Sequence, residues 1–455
     1  MATESNSNKE VISVIGLGVV GLTTAVGFAL KGHRVIGIDI DMAKVISIKE
    51  GISPIYEEGL SLAMEKIRIK ATLDFEQVLE TDITFLCGGT PGQANGSLDL
   101  RYVQGPVGQL AEVLKKKDSY HLVVVRSTVV PGTTEAVIAP NFADGEKIGL
   151  CVNPEFLREG TAIEDFMKPS RIVIGERDTK SGGVLCQLYR GFNTHKMRTN
   201  LRTAEMVKYA SNSYLATRVS FINEIGNICK ALNINVYEVA TGMGYDKRIG
   251  HDYLSAGVGF GGFCLPKDVA ALVAKSRELG YEPRILQNVL SVNEDQPRRL
   301  VTLLKKHLPD LKDKVIGILG LAFKPGTDDV RKSKTIDVIE ALLKEGAQVK
   351  AHDPQAMRSF AKLFPDIAYV TAEQALESDA VLILTAWDEF NSLDYRDKIV
   401  IDGRRVMKAE EAKVYEGIAW DRNGHIPTCA SSNYDSQEDI PASLGVRATV
   451  PLLSS

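Results

Sequence analysis

No stretch of this 455-residue chain is apolar and long enough to span a bilayer. Its opening residues, MATESNSNKE, lack the basic start and apolar core of a secretory signal. Cysteine is scarce. The six residues Cys87, Cys151, Cys186, Cys229, Cys264 and Cys429 form no C-x-x-C pair and no zinc-ligand spacing. The seven histidines form no H-x-x-x-H cluster either, so no metal site is expected. These absences make a reducing cytoplasm the expected setting. Neither sign of charge dominates: 54 Lys and Arg against 58 Asp and Glu leave a net charge of −4, which gives no reason to expect a nucleic acid or an anionic membrane as partner. Any anion must be bound locally. The length exceeds one ordinary core and calls for two or three domains.

What is present begins with a βαβ unit. The apolar run VISVIG (11–16) leads into GLGVVG, a periodic apolar segment and a second strand, RVIGIDID. Gly16, Gly18 and Gly21 therefore lie between a strand and a helix, and Asp39 ends the next strand at the spacing of an acid that binds a ribose. This is a dinucleotide fingerprint: a tight turn, a backbone close to a pyrophosphate, and close helix packing. An Asp39 carboxylate accepts from free ribose hydroxyls and repels a 2′-phosphate, which favours NAD over NADP. Further strands are expected at 81–89, 121–128, 148–156 and 170–176, continuing the doubly wound pattern to about residue 195.

Residues 203–232 carry apolar positions at helical spacing, a helix long enough to serve as a spine between domains or subunits. At 313 the strand, loop, helix, strand pattern restarts. GILGLAFKPG lacks the third glycine of the fingerprint and offers Lys324, so a nucleotide or phosphate other than NAD is expected there. Strands at 380–387 and 398–406 extend that sheet. The fold class is α/β, two Rossmann-like doubly wound domains joined by a long central helix. The expected boundaries are a disordered start over 1–10, domains over 11–200, 201–300 and 301–425, and a polar tail over 426–455.

The stretch GVGFGGFCLPKD (257–268) sets Cys264 behind four glycines. A lone cysteine is usually packing, but glycines at this density suit a backbone bent to expose a thiol. Lys267 and nearby loop amides are expected to lower its pKa. In KYASN, Lys208 and Asn212 are one helical turn apart and can share one oxygen, unless they are a solvated lysine and a surface amide. Glu155 and Glu159 in NPEFLREG are also four apart; the bland reading is a solvated pair at a helix start.

GLGVVG with Asp39, STVVPGTTE (127–135), NPEFLREGTA (153–162), AEMVKYASN (204–212), GVGFGGFCLPKD and GLAFKPGTDDVR (320–331) together resemble, in order, the UDP-glucose dehydrogenase family within the UDP-glucose/GDP-mannose dehydrogenase superfamily. The resemblance spans roughly 11–410. It implies an NAD-binding first domain, a central dimerisation domain, a UDP-sugar-binding last domain and a homodimer. It also implies a four-electron oxidation of a nucleotide sugar to its uronate, through a thiohemiacetal and a thioester on Cys264.

By the same resemblance, Lys208 and Asn212 stabilise the developing oxyanion, Asp268 and Thr128 position a water, and Glu155 activates water for thioester hydrolysis. Gly16, Gly18, Val19, Val20 and Gly21 are assigned to the cofactor, with Asp39 and Lys44. Thr90, Thr128, Glu159, Lys267 and Arg331 complete that set. Phe156, Leu157, Tyr253 and Gly261 are assigned to the sugar nucleotide, beside Glu155, Lys208 and Asn212. Lys324 and Arg404 are assigned to its phosphates or sugar, and Arg248 to a contact across the dimer. Phe263 and Leu265 depart from the serine and phenylalanine common beside this cysteine, so the choice of sugar stays open among UDP-glucose, UDP-N-acetylhexosamine and GDP-mannose. A two-electron hydroxyacid dehydrogenase and a non-catalytic nucleotide-binding module are the other readings.

Overall fold

The computed structural model describes residues 9–142, 147–406 and 411–420. The expected tail at 426–455, with Cys429, and residues 1–8 of the expected disordered start lie outside the described residues; Lys9 and Glu10 lead directly into the first strand.

Short apolar runs, many buried on both faces, build the first sheet. Its strands are β1 (Val11–Ile15), β2 (Arg34–Ile38), β3 (Lys70–Thr72), β4 (Ile83–Leu86), β5 (His121–Val125), β6 (Ile148–Val152), β7 (Arg171–Glu176) and β8 (His195–Asn200). Their order is β3-β2-β1-β4-β5-β6-β7-β8. Ile12 pairs with Val35 on one side and Ile83 on the other, both parallel. The sheet is parallel except at one place, where β7 runs antiparallel to β6 while β8 runs parallel to β7. The second sheet contains β9 (Val315–Leu319), β10 (Gln348–His352), β11 (Ala368–Tyr369), β12 (Ala380–Ile383), β13 (Ile399–Asp402) and β14 (Val414–Gly417). Its order, β11-β10-β9-β12-β13-β14, repeats the order of the first six strands of the other sheet, and every pairing is parallel.

In each sheet the strand order reverses beside the first strand, between β1 and β4 and between β9 and β12. The carboxyl ends of those strands open a crevice where ligands of such folds bind.

Helices join the two sheets. The long helix Leu201–Ala231 is capped by Asn200, whose side chain accepts from the Thr203 amide. It packs against the helix Cys264–Glu278 and against Arg284–His307, which in turn packs on Lys334–Lys344 of the second unit. Among the described residues no helix is long and apolar enough to cross a membrane, and no group of His, Cys, Asp or Glu is placed to hold a metal.

Candidate active site

Two cavities of about 610 and 550 Å³ meet between the sheets. Cys264, Glu155, Leu157, Glu159, Phe263 and Arg126 line both. The thiol therefore stands at the junction.

The glycines explain how the thiol comes to be there. Gly259 and Gly262 have φ of +99° and +76°, which side chains with a Cβ adopt only under strain. At Gly261 a Cβ would fall 2.4 Å from the Lys332 carbonyl oxygen, so the loop lies against the second unit. Buried amide side chains hold this loop in register. Asn223 Oδ1 accepts from the Gly257 amide at 2.8 Å, Asn293 Oδ1 from the Phe260 amide at 2.7 Å, and Gln296 Nε2 donates to the Gly257 oxygen at 3.0 Å. Cys264 then begins a helix and is itself exposed, whereas Cys87, Cys151 and Cys229 are buried.

Lys208 and Asn212 are buried, not solvated, and face this junction from the long helix. Lys208 Nζ lies 2.9 Å from Glu155 Oε1, and Asn212 Nδ2 donates to Asp268 Oδ2 at 2.6 Å. Lys267 Nζ lies 2.5 Å from the other Asp268 oxygen. Each cation is thus already paired with a carboxylate. This overturns the expectation of a lowered thiol pKa: although the residue is open to the cavities, protein atoms crowd its sulfur, and that desolvation pushes the Cys264 thiol up to about 12, with Glu155 and Asp268 adding to the rise and Lys208 and Lys267 only partly opposing it. Burial also disfavours the Glu155 carboxylate, but the Lys208 charge and hydrogen bond, the Leu157 amide (2.6 Å) and Arg126 outweigh it and hold the carboxyl below its ordinary value. Burial opposes the Lys208 ammonium too, and Glu155, then Cys264 and Asp268, keep its pKa above the usual lysine value.

Residues 153–158 belong to neither helix nor strand, so Glu155 is not part of a helix start. Glu159 accepts from Thr327 Oγ1 at 2.8 Å, and its backbone oxygen accepts from Lys324 Nζ, so the loop is tied to the second unit. Burial and the neighbouring Asp329 raise the Glu159 pKa, against the Thr327 bond, Arg331 and Lys324.

The first cavity holds Phe156, Tyr253, Gly261 and Lys324 as well. Phe156 is overlaid by the Arg171 guanidinium, 3.8 Å from the ring centre. Tyr253 stands there with φ of +61°. The second cavity holds the fingerprint. Gly16 turns at φ +90°, and a Cβ on Gly21 would fall 1.7 Å from the Gly16 oxygen. A Cβ on Gly18 would meet nothing within 4 Å, and the helix Val19–Leu30 that follows has no side-chain cap. Its first amides are left for an anion. Val19, Val20, Thr90 and Thr128 line this cavity, with Thr90 Oγ1 donating to the Thr128 oxygen at 2.9 Å. Asp39 faces it from the end of β2, accepting from the Leu17 amide at 2.6 Å, with Lys44 Nζ at 3.9 Å. Arg331 and Lys267 flank the Phe263 ring, 4.4 and 5.3 Å from its centre. This cradle fits a dinucleotide.

Two expected residues are elsewhere. Arg404 does not line either cavity: its guanidinium donates to the Leu384 and Gly259 oxygens and so braces the glycine loop from behind. Arg248 is exposed, bound to its neighbour Asp246 at 2.6 Å, and reaches neither cavity within one chain. Sequence reasoning missed Glu57 and Arg126. Glu57 accepts from the Gly160 and Ala162 amides at 2.9 and 2.7 Å and fixes the Glu159 loop. The only signal for Arg126 was a charge closing the buried run HLVVV.

Three family models match in order: the NAD binding domain of the UDP-glucose/GDP-mannose dehydrogenase family at residues 10–193, its central domain at 202–295 and its UDP binding domain at 317–409. The UDP-glucose 6-dehydrogenase AglM of Haloferax volcanii is 44% identical over 428 residues, 90% of this chain and 99% of that protein. A UDP-glucose dehydrogenase structure from Pyrobaculum islandicum is similar at TM-score 0.90 and 45% identity, covering 92% of this chain and all of that one. A UDP-D-ManNAc dehydrogenase structure from Pyrococcus horikoshii follows at 0.82 and 27%, over 91% of this chain and all of that one. With a dinucleotide cradle, a second nucleotide-type sheet and a cysteine between them, the chain belongs to the UDP-glucose/GDP-mannose dehydrogenase family.

Proposed function

We propose that this protein oxidises UDP-glucose to UDP-glucuronate, with two NAD reduced per sugar. The observation that carries this reading is the position of Cys264 at the meeting point of the two cavities. A thiol there can reach a sugar carbon in the first cavity, and Gly16, Gly18, Asp39 and Thr128 of the second would hold NAD. NAD supplies the hydride acceptor for both oxidations.

The chain's own residues do the rest. Lys208 and Asn212 donate to the sugar oxygen as it becomes an alkoxide. Its proton passes to a water held between Asp268 and Thr128. The Cys264 sulfur adds to the aldehyde carbon, and its proton leaves by the same water, because a thiol with so high a pKa arrives protonated. The thiohemiacetal is oxidised to a thioester. Glu155 then takes a proton from the water that attacks the acyl carbon, the C–S bond breaks, and the uronate leaves. Lys324 and the amides of the second unit face the diphosphate. Asp39 makes NAD the preferred cofactor.

Arg248 and the long helix fit a homodimer. Tyr214, Phe221 and Ile228 are exposed at seven-residue intervals on that helix, an apolar stripe suited to a second copy. The same chemistry on another nucleotide sugar is the second reading, since Phe263 and Leu265 both line the first cavity. Counting NADH against a panel of UDP- and GDP-sugars tests both. UDP-glucose should yield two NADH per uronate, and Cys264→Ala should form no uronate. Full turnover by that variant overturns the thioester route, and preference for another sugar establishes the second reading.

A further inference from the structure

Arg126 follows β5 and is 5% exposed. Its Nη1 donates to Asn153 Oδ1 at 2.5 Å and to the Tyr189 hydroxyl at 3.3 Å, while its Nε has no partner. Among the described residues no carboxylate lies within ion-pair distance of it. A buried guanidinium without an anion is costly, and the cost calls for a use. Arg126 lines both cavities, as Glu155 does.

The groups that face Glu155 come from four elements. Lys208 lies on the long helix, Cys264 on its own helix, Cys87 after β4, and Arg126 after β5. Lys208 has two demands on it: it holds Glu155 at 2.9 Å, and it must give a proton donor to the sugar oxygen. When it turns to the sugar, only the Leu157 amide and any positive charge that remains oppose the effect of burial on Glu155. A protonated Glu155 cannot take a proton from water. A guanidinium is always charged and, held by Asn153 and Tyr189, stays where it is.

We propose that Arg126 is a positioning residue for thioester hydrolysis: it keeps Glu155 a carboxylate while Lys208 serves the substrate oxygen, and through Asn153 it fixes the stretch that carries Glu155. The inference rests on the role given to Glu155 above.

The test is single-turnover hydrolysis of the Cys264 acyl adduct, followed by intact-protein mass from about pH 3.5 to 8, a window that spans the ordinary glutamate value of about 4.3. Arg126→Met should move the acid limb up by about one pH unit, slow hydrolysis about tenfold on that limb, and let the adduct accumulate, with the burst of NADH unchanged. Arg126→Gln keeps donors for Asn153 without the charge and should shift the limb likewise, whereas Arg126→Lys should restore most of the rate. Adding Arg126→Met to Glu155→Gln should slow hydrolysis no further than Glu155→Gln alone. A native acid limb in both neutral variants overturns the proposal, as does a loss confined to melting temperature or to the KM for either substrate. If Glu155→Gln itself hydrolyses the adduct at the native rate, the Glu155 reading falls too. If that variant is slow and the limb of the Arg126 variants stays in place, only the Arg126 proposal falls.

Discussion

A cysteine in a glycine-rich loop reads as an activated nucleophile, and at this residue the surroundings count for more than the motif. The loop does expose Cys264, but each neighbouring cation is engaged by a carboxylate, Lys208 by Glu155 and Lys267 by Asp268. The free enzyme should therefore hold a protonated thiol. Iodoacetamide should alkylate Cys264 at pH 8 at least about tenfold more slowly than a small-molecule thiol, with a rate still climbing above about pH 9, as read from the mass of the Cys264 peptide. Rapid, pH-independent alkylation near neutrality would show a thiolate instead. The logic suits the proposed chemistry: an unreactive thiol awaits a bound aldehyde. Lys208, Asn212 and Asp268 were legible from their spacing and motifs, whereas their pairing was not, since Asn212 meets Asp268 across 56 residues of chain.

At the scale of elements, the two sheets repeat one strand order with different use of the switch point. Gly320 turns at φ +100° after β9 as Gly16 turns after β1. Asp353 after β10 matches Asp39 after β2, but it accepts from the Leu321 and Ala322 amides and from Trp387 Nε1 at 2.7, 3.0 and 3.0 Å, and it is fully buried. Its oxygens are spent on the fold, consistent with the missing third glycine in that half. The helices are joined to the second sheet by Glu416 on β14, which lies 3.3 Å from Lys230 and 2.8 Å from Lys306 and bonds His307. Burial opposes its charge, yet Lys306, His307 and Lys230 hold its carboxyl down at about 2. A depressed carboxyl stabilises fully above its unfolded value of about 4.3 and loses that contribution as pH falls toward about 2. The melting temperature should drop more steeply from about pH 5 to 2.5 in the native protein than in Glu416→Gln, measured by calorimetry. Equal slopes would leave this cluster without a share in acid stability.

On the scale of the molecule, the first sheet's loops and the second unit's loops close on each other. A Cβ at Gly160 would lie 2.9 Å from the Gly326 oxygen, and Thr327 bonds Glu159 from 168 residues away. The cleft is therefore a product of both halves. If the stripe on the long helix seats a second copy, Phe221→Asp should shift the protein from dimer to monomer in sedimentation, since a charge would be buried in that contact. A dimer of unchanged affinity would move the interface elsewhere. Local pattern alone determined the buried strands, the fingerprint turn at Gly16–Gly21, the long helix and the restart at 313, because β-branched runs, glycine turns and helical spacing act within a few residues. It did not show β3, β11 and β14, which are short and exist through pairing with neighbours, nor the antiparallel β7. Tertiary structure alone decided the protonated thiol, the bracing role of Arg404, the exposed Arg248 and the buried charge of Arg126. Charge, burial and distance between residues far apart in sequence are properties of the packed chain.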